Sequence, residues 1–370
     1  MIAAMVPLGE ISQQIRGVTY SKADVRAEVI DDYEMLLRAN NITDDGIVLE
    51  DVVYVPSAKV SRKQMLLEHD VVIAASSGSL KVVGKSAPFG GGLRVTFGAF
   101  CKAIRPDTSK VDPRYFSHAF RTADYRRHVE RRAAGANINN LRNEDIDEYQ
   151  IPLPPLEEQR RIAGILDAAD ALRRRRREAL ALLDTLPGAI FAKMFGDSED
   201  IPEVPLHDLC RPKQWKTIKG TELTASGYPV YGANGKIGFY STYNHENPTV
   251  LITCRGATCG TINICEPKSY VTGNAMALDD PDGSRIGLQF LAHALRVRGV
   301  NDAITGTAQP QITRQSLTAV SIKVPDKSKQ LIFERSLNGI EEQRVLLQDQ
   351  LQEIEALFAS LQSRAFAGEL

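Results

Sequence analysis

Several residue types are scarce in this chain. Among its 370 residues there are five cysteines, one tryptophan and six histidines, and aromatic residues make up 6%. The cysteines are odd in number and irregularly spaced, which argues against a disulfide framework and favours buried, reduced thiols in a reducing compartment. Cys254, Cys259 and Cys265 invite an interpretation as metal ligands, but their spacing is not that of a zinc site. We therefore predict no metal site.

Long apolar runs and catalytic motifs are also missing. No run of eighteen apolar residues occurs, and the first seven residues lack the pattern of a signal peptide, so we expect a cytoplasmic protein without a membrane segment. There is no HExxH, no Walker A sequence and no GxGxxG after a strand. The one Pro-Pro, Pro154-Pro155, precedes Leu156 rather than the aromatic residue of an adenine methyltransferase motif. We predict no catalytic residue and no directly bound cofactor.

Charge is separated along a chain whose formal net charge is only −1. Residues 59–142 carry 16 Lys and Arg against 6 Asp and Glu, whereas residues 6–58 carry 4 against 10. Residues 204–325 carry 12 against 8, and the last 45 residues carry 5 against 8. A localised basic surface is what binding to phosphates requires, whatever the net charge of the chain.

The chain contains an internal repeat. Residues 135–195 return at 306–366 with a constant offset of 171 and no gap, so that Leu141 falls on Ile312 and Gln159 on Gln330. The repeat extends into the preceding regions once loops are allowed to differ. Segment 6–11 matches 204–209, segment 72–78 matches 250–256 at an offset of 178, and segment 98–100 matches 274–276. We predict two copies of one unit.

Each copy begins with a globular region followed by a helix. Short β-branched segments bounded by Gly, Pro or Asn predict strands at 70–74, 93–97, 249–253 and 269–272, and helices are predicted at 113–132 and 288–297. These patterns indicate an α+β fold with two globular domains. Glycine-rich segments such as 231–235 are open to two interpretations, a tight turn or a loop that faces a ligand.

About forty residues of helical pattern follow each globular region. Apolar residues alternate by four and three from Phe333 to Ala365, which is a heptad seam, and a weaker copy with Arg173 and Pro187 as irregularities runs from Ile162 to Met194. We predict that the two helices pair as an antiparallel coiled coil with pseudo-twofold symmetry. Such a pair spans about 60 Å and suits two contacts on one duplex about a turn, ~34 Å, apart.

Five consecutive arginines, Arg173 to Arg177, lie in the first helix. At 100° per residue they surround the helix, so some of them must meet the other helix, a partner protein or phosphate. A charged surface patch remains the alternative interpretation.

Three sequence blocks carry a resemblance to a known family. They are Pro-Leu-Pro-Pro-Leu-Glu-Glu-Gln-Arg-Arg-Ile-Ala-Gly-Ile-Leu at 152–166, Tyr-Pro-Val-Tyr-Gly-Ala-Asn-Gly at 228–235 and Gly-Thr-Ala-Gln-Pro-Gln-Ile at 306–312. With the duplicated plan, they resemble the specificity (S) subunit of Type I restriction-modification systems over essentially the whole chain. The resemblance implies target recognition domains at 1–154 and 199–325, a central conserved helix at 155–198 and a distal conserved helix at 326–370.

The same resemblance implies a non-catalytic subunit that reads a bipartite, asymmetric target in double-stranded DNA. It implies two modification (methyltransferase) subunits as partners, which carry S-adenosylmethionine, and restriction subunits that use ATP and Mg in the full complex. The first domain lacks the Tyr-Gly-Ala-Asn-Gly block, so we expect the two target halves to differ. The alternatives are a repeat scaffold without a DNA role and an unrecognised DNA-modifying enzyme that acts alone.

Base contacts require loop side chains that form paired hydrogen bonds, such as Arg to guanine or Asn and Gln to adenine. Two pairs of candidates have an alternative role to base contact. Gln309 and Gln311 could instead cap the junction between domain and helix, and Lys81 and Lys85 could contact phosphate only. The candidate DNA-binding residues are Ser76, Ser77, Ser79, Lys81, Lys85, Arg94, Tyr231, Asn234, Lys236, Arg255, Thr258, Gln309, Gln311 and Arg314.

Overall fold

A computed structural model describes residues 3–133, 139–196, 200–233, 235–306 and 309–370. The chain divides into two compact units. Unit 1 comprises Met1–Glu178 and Gln348–Leu370, and unit 2 comprises Ala179–Leu347. Each unit therefore takes one globular region together with parts of two long helices.

Unit 1 combines short strands with helices of four to eleven residues and with segments of both long helices. Its strands are β1 (Ala4–Pro7), β2 (Ser12–Arg16), β3 (Tyr33–Leu37), β4 (Ile42–Thr43), β5 (Gly46–Ile47), β6 (Val53–Pro56), β7 (Val71–Ala74), β8 (Ser76–Ser77), β9 (Ser86–Pro88), β10 (Val95–Phe97), β11 (Cys101–Pro106), β12 (Asn139–Asn140) and β13 (Gln150–Leu153). Its helices are α1 (Leu8–Ile11), α2 (Pro113–Ala119), α3 (Ala123–Ala133), α4 (Asn143–Asp147) and the first part of α5 (Leu156–Phe191).

Unit 2 follows the same plan with fewer elements. Its strands are β14 (Glu203–Pro205), β15 (Arg211–Gln214), β16 (Tyr228–Gly232), β17 (Gly235–Tyr240), β18 (Val250–Thr253), β19 (Ile262–Ile264), β20 (Tyr270–Val271), β21 (Ala275–Asp279) and β22 (Ser321–Lys323). Its helices are α6 (Leu288–Arg298) and the first part of α7 (Lys327–Ala367). The last part of α5 and a π-helical turn, Ala192–Gly196, also belong to it.

The sheets of the two units correspond strand by strand. Unit 1 has a four-stranded sheet in the order β2-β11-β7-β9, and unit 2 has one in the order β15-β21-β18-β19. A three-stranded sheet, β10-β3-β6 or β20-β16-β17, and a pair, β1-β13 or β14-β22, complete each set. Unit 1 adds the small pairs β4-β5 and β8-β12. The predicted α+β fold with two globular domains is confirmed.

Strand pairing shows which residues are equivalent, and it corrects the sequence alignment by one residue at β7. Cys101 pairs with Ala74, and Ala275 pairs with Thr253. Each unit has a larger core that includes helix residues and a smaller core. Ile73 of unit 1 and Ile252 of unit 2 lie in the larger cores, whereas Val72 and Leu251 lie in the smaller ones. The offset at this strand is therefore 179, and the predicted 178 is wrong. Cys101 is equivalent to Ala275, so the offset at β11 is 174 and the predicted match of 98–100 with 274–276 is wrong as well. Because side chains alternate between faces, a slip of one residue would exchange the two cores.

The match at 204–209 is confirmed by the same kind of contact. Val6 pairs with Ile151 and Val204 with Ile322, while the amides of Leu8 and Leu206 donate to Tyr149 O and Val320 O at 2.9 Å each. The partners in both pairs of contacts differ by 171 residues. The first strand of each globular region is thus fixed against the segment just before its long helix.

A buried glutamine joins each globular region to the start of its long helix. The Gln159 amide oxygen accepts from Asp112 N at 2.8 Å, and its Nε2 donates to Pro154 O at 2.7 Å. Gln330 accepts from Gly287 N at 2.9 Å and donates to Pro325 O at 2.8 Å. Both side chains are buried, so they replace water as partners of buried backbone groups. Gln159 and Gln330 lie 171 residues apart and make the same contacts, which gives the offset a physical cause at this position.

The predicted helix at 113–132 is wrong in one respect, because it is two helices, α2 and α3. Thr122 lies in the break, where its hydroxyl donates to Ala119 O at 3.0 Å and accepts from Tyr125 N at 3.1 Å. This local hydrogen bonding competes with the continuation of a helix. The helix predicted at 288–297 is confirmed as α6.

The long helices contact each other within each unit. In unit 1, Ile162 and Leu166 of α5 share a core with Phe358 and Ala365 of α7, and Phe366 stacks on Tyr115. In unit 2, the end of α5 packs on the beginning of α7, where Phe333 meets the rings of Phe191 and Phe195. This order of contacts is the one that antiparallel helices produce. The full coiled coil and its pseudo-twofold symmetry stay predictions.

Two of the five arginines turn toward α7. Arg173 bonds Asp170 at 2.6 Å and lies 4.5 Å from the centroid of the Phe358 ring, and Arg177 bonds Glu355 at 2.5 Å and also pairs with Asp45. Arg174 and Arg175 are exposed. The run is therefore divided between a helix contact and a charged surface.

Pro187 does not end α5, which continues to Phe191. Among the described residues, one helical stretch, Leu156–Gly196, is long and apolar enough to cross a membrane by length and composition alone. Helices that pack inside proteins pass the same test, so the finding is weak evidence for a membrane span.

Candidate nucleic-acid interface

In unit 2, candidate residues meet at the end of the buried strand β18. Arg255, Gln309 and Gln311 line one cleft of about 640 Å³ together with Gly256, Ala257 and Pro310. All three candidate side chains are exposed. A guanidinium and two carboxamides can form the paired hydrogen bonds that distinguish guanine and adenine. The cleft is therefore chemically suited to base edges.

The backbone holds this cleft from both sides. Arg255 and Gln311 form an antiparallel bridge, Ile312 N donates to Cys254 O at 2.9 Å, and Gln311 N donates to Thr305 O at 2.9 Å. Gly306 allows the turn because its φ is +83° and a Cβ there would lie 2.8 Å from Gln309 O. Cys254 and Ile312 are buried, so the exposed pair projects from a fixed base.

Unit 1 forms the equivalent pairing with different residues. Ser76 pairs with Asn140, and Leu141 N donates to Ala75 O at 2.8 Å, as Ile312 N does to Cys254 O. Ser76 is thus the counterpart of Arg255, and Asn140 is the counterpart of Gln311. Sequence reasoning missed Asn140, although the offset of 171 places it on Gln311. The missed signal was the repeat itself.

The other candidates of unit 1 lie on the loop after β8. The hydroxyl of Ser77 accepts from Ser79 N at 3.2 Å, and Ser79 is exposed. Lys81 and Lys85 line a pocket of about 530 Å³ with Arg121, Arg126 and Arg173 among its other residues. Lys85 Nζ lies 3.7 Å from Asp44, so that its charge is partly offset. A phosphate contact for Lys81 stays a prediction.

Arg94 is held by a carboxylate. Its guanidinium donates two parallel bonds to Glu34, with Nε to Oε2 at 2.8 Å and Nη2 to Oε1 at 2.5 Å. The bond from Arg94 keeps the pKa of Glu34 below its usual range. Nε and Nη2 of the exposed Arg94 are engaged by Glu34, and a base contact by this residue stays a prediction.

The Tyr-Gly-Ala-Asn-Gly block is divided between core and surface. The Tyr231 ring is buried, its hydroxyl donates to Glu266 Oε1 at 3.2 Å, and burial raises the pKa of this hydroxyl. Lys236 Nζ lies 3.1 Å from the same carboxylate. Asn234 lies outside the described residues. The structure thus gives Tyr231 a packing role, and a base contact by this residue stays a prediction.

Thr258 and Arg314 complete the candidate set. Thr258 is exposed, and its hydroxyl donates to Ala233 O at 3.4 Å. Arg314 is exposed three residues after the cleft residue Gln311. Among the described ion pairs, none involves Arg255 or Arg314. Both guanidinium groups remain available for an anionic partner.

The cysteines are free thiols, four of them buried and Cys259 half-buried. Burial raises the pKa of Cys101 to about 12 and that of Cys254 to about 11. These thiols are protonated at neutral pH and unreactive. The expected burial is confirmed for four of the five. Within the described residues, no group of three or more His, Cys, Asp or Glu side chains is placed to hold a metal ion.

The model of one protein family, described as Type I restriction modification DNA specificity domain, matches residues 4–181 and again 198–356. The two matches cover most of the chain and repeat its division into two similar halves. The chain belongs to this family.

Curated relatives agree with this assignment. The chain is 38% identical over 253 residues to the type I restriction enzyme StySPI specificity subunit of Salmonella potsdam, covering 68% of this chain and 49% of that protein. It is 40% identical over 163 residues to the EcoKI specificity subunit of Escherichia coli, covering 44% of this chain and 35% of that protein. The chain thus spans half or less of the length of these relatives.

Solved structures support the fold. The S subunit of a type I restriction-modification system from M. genitalium matches with a TM-score of 0.60 and 16% identity, covering 98% of this chain and 96% of that chain. A chain from a structure of a type I R-M system matches with a TM-score of 0.61 and 18% identity, covering 100% and 98%. At these identities the likeness concerns the fold alone. The comparisons do not favour the scaffold or the stand-alone enzyme.

Proposed function

We propose that this chain is a sequence-specific subunit for double-stranded DNA, in which each unit reads one half of a bipartite, asymmetric target. The observation that carries this proposal is the pair of equivalent strand ends. One framework presents Ser76 and Asn140 in unit 1, and Arg255 and Gln311 in unit 2. A backbone support shared by both units, with different side chains on it, is what two readers of different sequences require.

The surface chemistry supports the same function. Arg255 and Arg314 lie near exposed carboxamides and have no acidic partner among the described residues. Residues 59–142 of unit 1 carry a net charge of +10. Basic groups of this kind bind the DNA backbone, while the carboxamides can read base edges.

We further propose two modification subunits as partners, which supply S-adenosylmethionine chemistry, and restriction subunits that use ATP and Mg in a larger complex. The names of the relatives support this assembly. Exposed apolar residues on the long helices, including Leu182, Ile332 and Leu346, support docking of partner proteins. In this proposal the chain itself is non-catalytic, is located in the cytoplasm and spans no membrane.

Mapping N6-methyladenine in cells that express this chain with its modification subunit tests the function. The account predicts one split motif whose two halves are separated by a gap of fixed length. The control is the modification subunit expressed alone, which is expected to leave the motif unmethylated. Methylation of a single continuous motif would show that the two units do not read separately, and methylation by this chain alone would make it an enzyme.

A further inference from the structure

Phe100 is an exposed aromatic residue that the fold does not explain. Its side chain is 67% exposed, in a chain with 12 phenylalanines of which several form the cores. It immediately precedes β11, and its carbonyl accepts from Ala75 N at 2.8 Å and Ser76 N at 3.1 Å. An exposed ring of this size gains nothing from folding, since its apolar surface stays in water.

The position of Phe100 is defined by the same frame as the candidate interface. In unit 2, Cys254 N donates to Asn274 O at 2.9 Å, so Asn274 is the counterpart of Phe100. Ser76 therefore has Phe100 on one side and Asn140 on the other. Arg255 has Asn274 and Gln311 in the corresponding places.

We propose that Phe100 and Asn140 determine the specificity of unit 1 and that they favour A·T base pairs. This proposal rests on the proposed function. The Phe100 ring contacts the 5-methyl group of a thymine, and the Asn140 carboxamide pairs with an adenine in the major groove. Both contacts are of known types, an apolar side chain against the thymine methyl and a bidentate carboxamide on adenine N6 and N7.

Side-chain size at the central position fits this division. Ser76 is short and half-buried, whereas Phe100 and Asn140 on either side of it are exposed. At the same place unit 2 has Arg255, whose guanidinium is suited to guanine. Unit 1 is therefore expected to read a half-site containing A·T pairs, and unit 2 a half-site containing guanine.

The test measures binding of the chain in complex with its modification subunit to duplexes that carry the mapped motif. Asn140→Ala is expected to weaken binding roughly five- to 150-fold, and Phe100→Ala by about fourfold or more. Leu67→Ala and Asn40→Ala, which change an exposed apolar residue and an exposed asparagine elsewhere in unit 1, are expected to leave binding unchanged.

A second set of duplexes isolates the methyl contact. Replacing each thymine of one half-site by uracil removes only the 5-methyl group. At one position the wild-type complex should then lose about fourfold in affinity, which is the worth of one buried CH₂-sized group. The Phe100→Ala complex should show no loss at that position, because the contact is already missing.

The outcomes separate this proposal from the proposed function. A wild-type complex that binds no motif duplex contradicts both. A wild-type complex that binds the motif but tolerates uracil at every position contradicts only the assignment of Phe100. If Phe100→Ala lowers assembly with the modification subunit while the assembled complex keeps its affinity, the ring belongs to a protein interface and the proposal is overturned.

Discussion

Units 1 and 2 share a backbone frame but use different side chains to support it. The pairing of the first strand, the glutamine in the first turn of each long helix and the strand end at the candidate interface are the same in both. The buried polar groups beneath these features differ between the two units. The two units therefore share a backbone geometry, while each unit provides its own hydrogen-bond partners for its buried polar groups.

Two polar contacts show this difference. In unit 1, the fully buried Asp70 accepts two bonds from Arg105 of β11, at 2.8 and 2.6 Å. In unit 2, the position on β21 that corresponds to Arg105 is Asp279, which accepts from Trp215 Nε1 at 3.1 Å and contacts His245 Nε2 at 2.9 Å. The acidic group lies just before β7 in unit 1 and at the end of β21 in unit 2.

The largest expected effect comes from the ion pair of unit 1. Arg105→Leu leaves the Asp70 carboxylate buried without its charged partner, which costs about 3–5 kcal/mol of unfolding free energy. Hydrogen exchange followed by mass spectrometry should show the loss of protection in unit 1. Arg127→Leu, which removes an exposed ion pair on α3, is the control and should change little. Equal effects of the two variants would mean that Arg105 does not stabilise unit 1.

A smaller and equal effect is expected at the two glutamines. Gln159→Met and Gln330→Met each leave a buried backbone amide, that of Asp112 or Gly287, without its acceptor. Each change should cost about 1–3 kcal/mol, in unit 1 and unit 2 respectively. The same exchange measurement checks this, with the exposed Gln352→Met as control. A cost in one unit only would contradict a shared frame.

The smallest effect concerns His118 and His293. They are equivalent because each lies six residues after the amide, Asp112 N or Gly287 N, that binds the buried glutamine of its unit. His118 Nε2 lies 2.8 Å from Asp167, whereas His293 lies 5.0 Å from the rings of both Phe191 and Phe333, and its Nε2 has no hydrogen-bond partner among the described atoms. Burial, and to a lesser degree Arg296, lowers the pKa of His293. The neutral form is therefore favoured in the folded state.

The direction of the pH effect follows from that shift. The folded-state pKa of His293 lies below the value of about 6.5 for an unfolded chain, so its contribution is present above pH 6.5 and is lost as the pH falls toward the folded pKa. Unit 2 should thus lose stability on acidification. Asn338 occupies the position that Asp167 holds in unit 1, and Asn338→Asp is expected to raise the pKa of His293 and reduce this loss. Titration of the His293 ring by NMR in the wild-type chain and in Asn338→Asp measures this change. An unchanged pKa would contradict the equivalence of His118 and His293.

Much of the fold was predictable because it depends on patterns that the sequence repeats. The heptad seams and the constant offset of 171 follow from packing and from the glutamine contacts, which require the same residue types in both copies. The register of β7 was not predictable. Residues 71–75 are apolar on both faces, so no alternation fixes the pairing, and the error of one residue followed.

The candidate site was predicted in part. Arg255, Gln309 and Gln311 come together because each lies beside a segment that the repeat identifies. Arg94 was harder to interpret, since its partner Glu34 lies 60 residues away in a region where unit 1 has additional residues. Phe100 became visible only when strand pairing showed that Asn274 takes its place in unit 2, whereas the offset of 171 already places Asn140 on Gln311.

Units 1 and 2 share one backbone arrangement, and each unit recognises its own half of the DNA target independently of the other. The most direct test of this claim is to replace residues 199–325 with the corresponding segment of another family member and to map N6-methyladenine in cells that also express the modification subunit. The account predicts that one half of the split motif changes while the other half and the gap between them stay the same. A motif in which both halves change, or neither does, would contradict it.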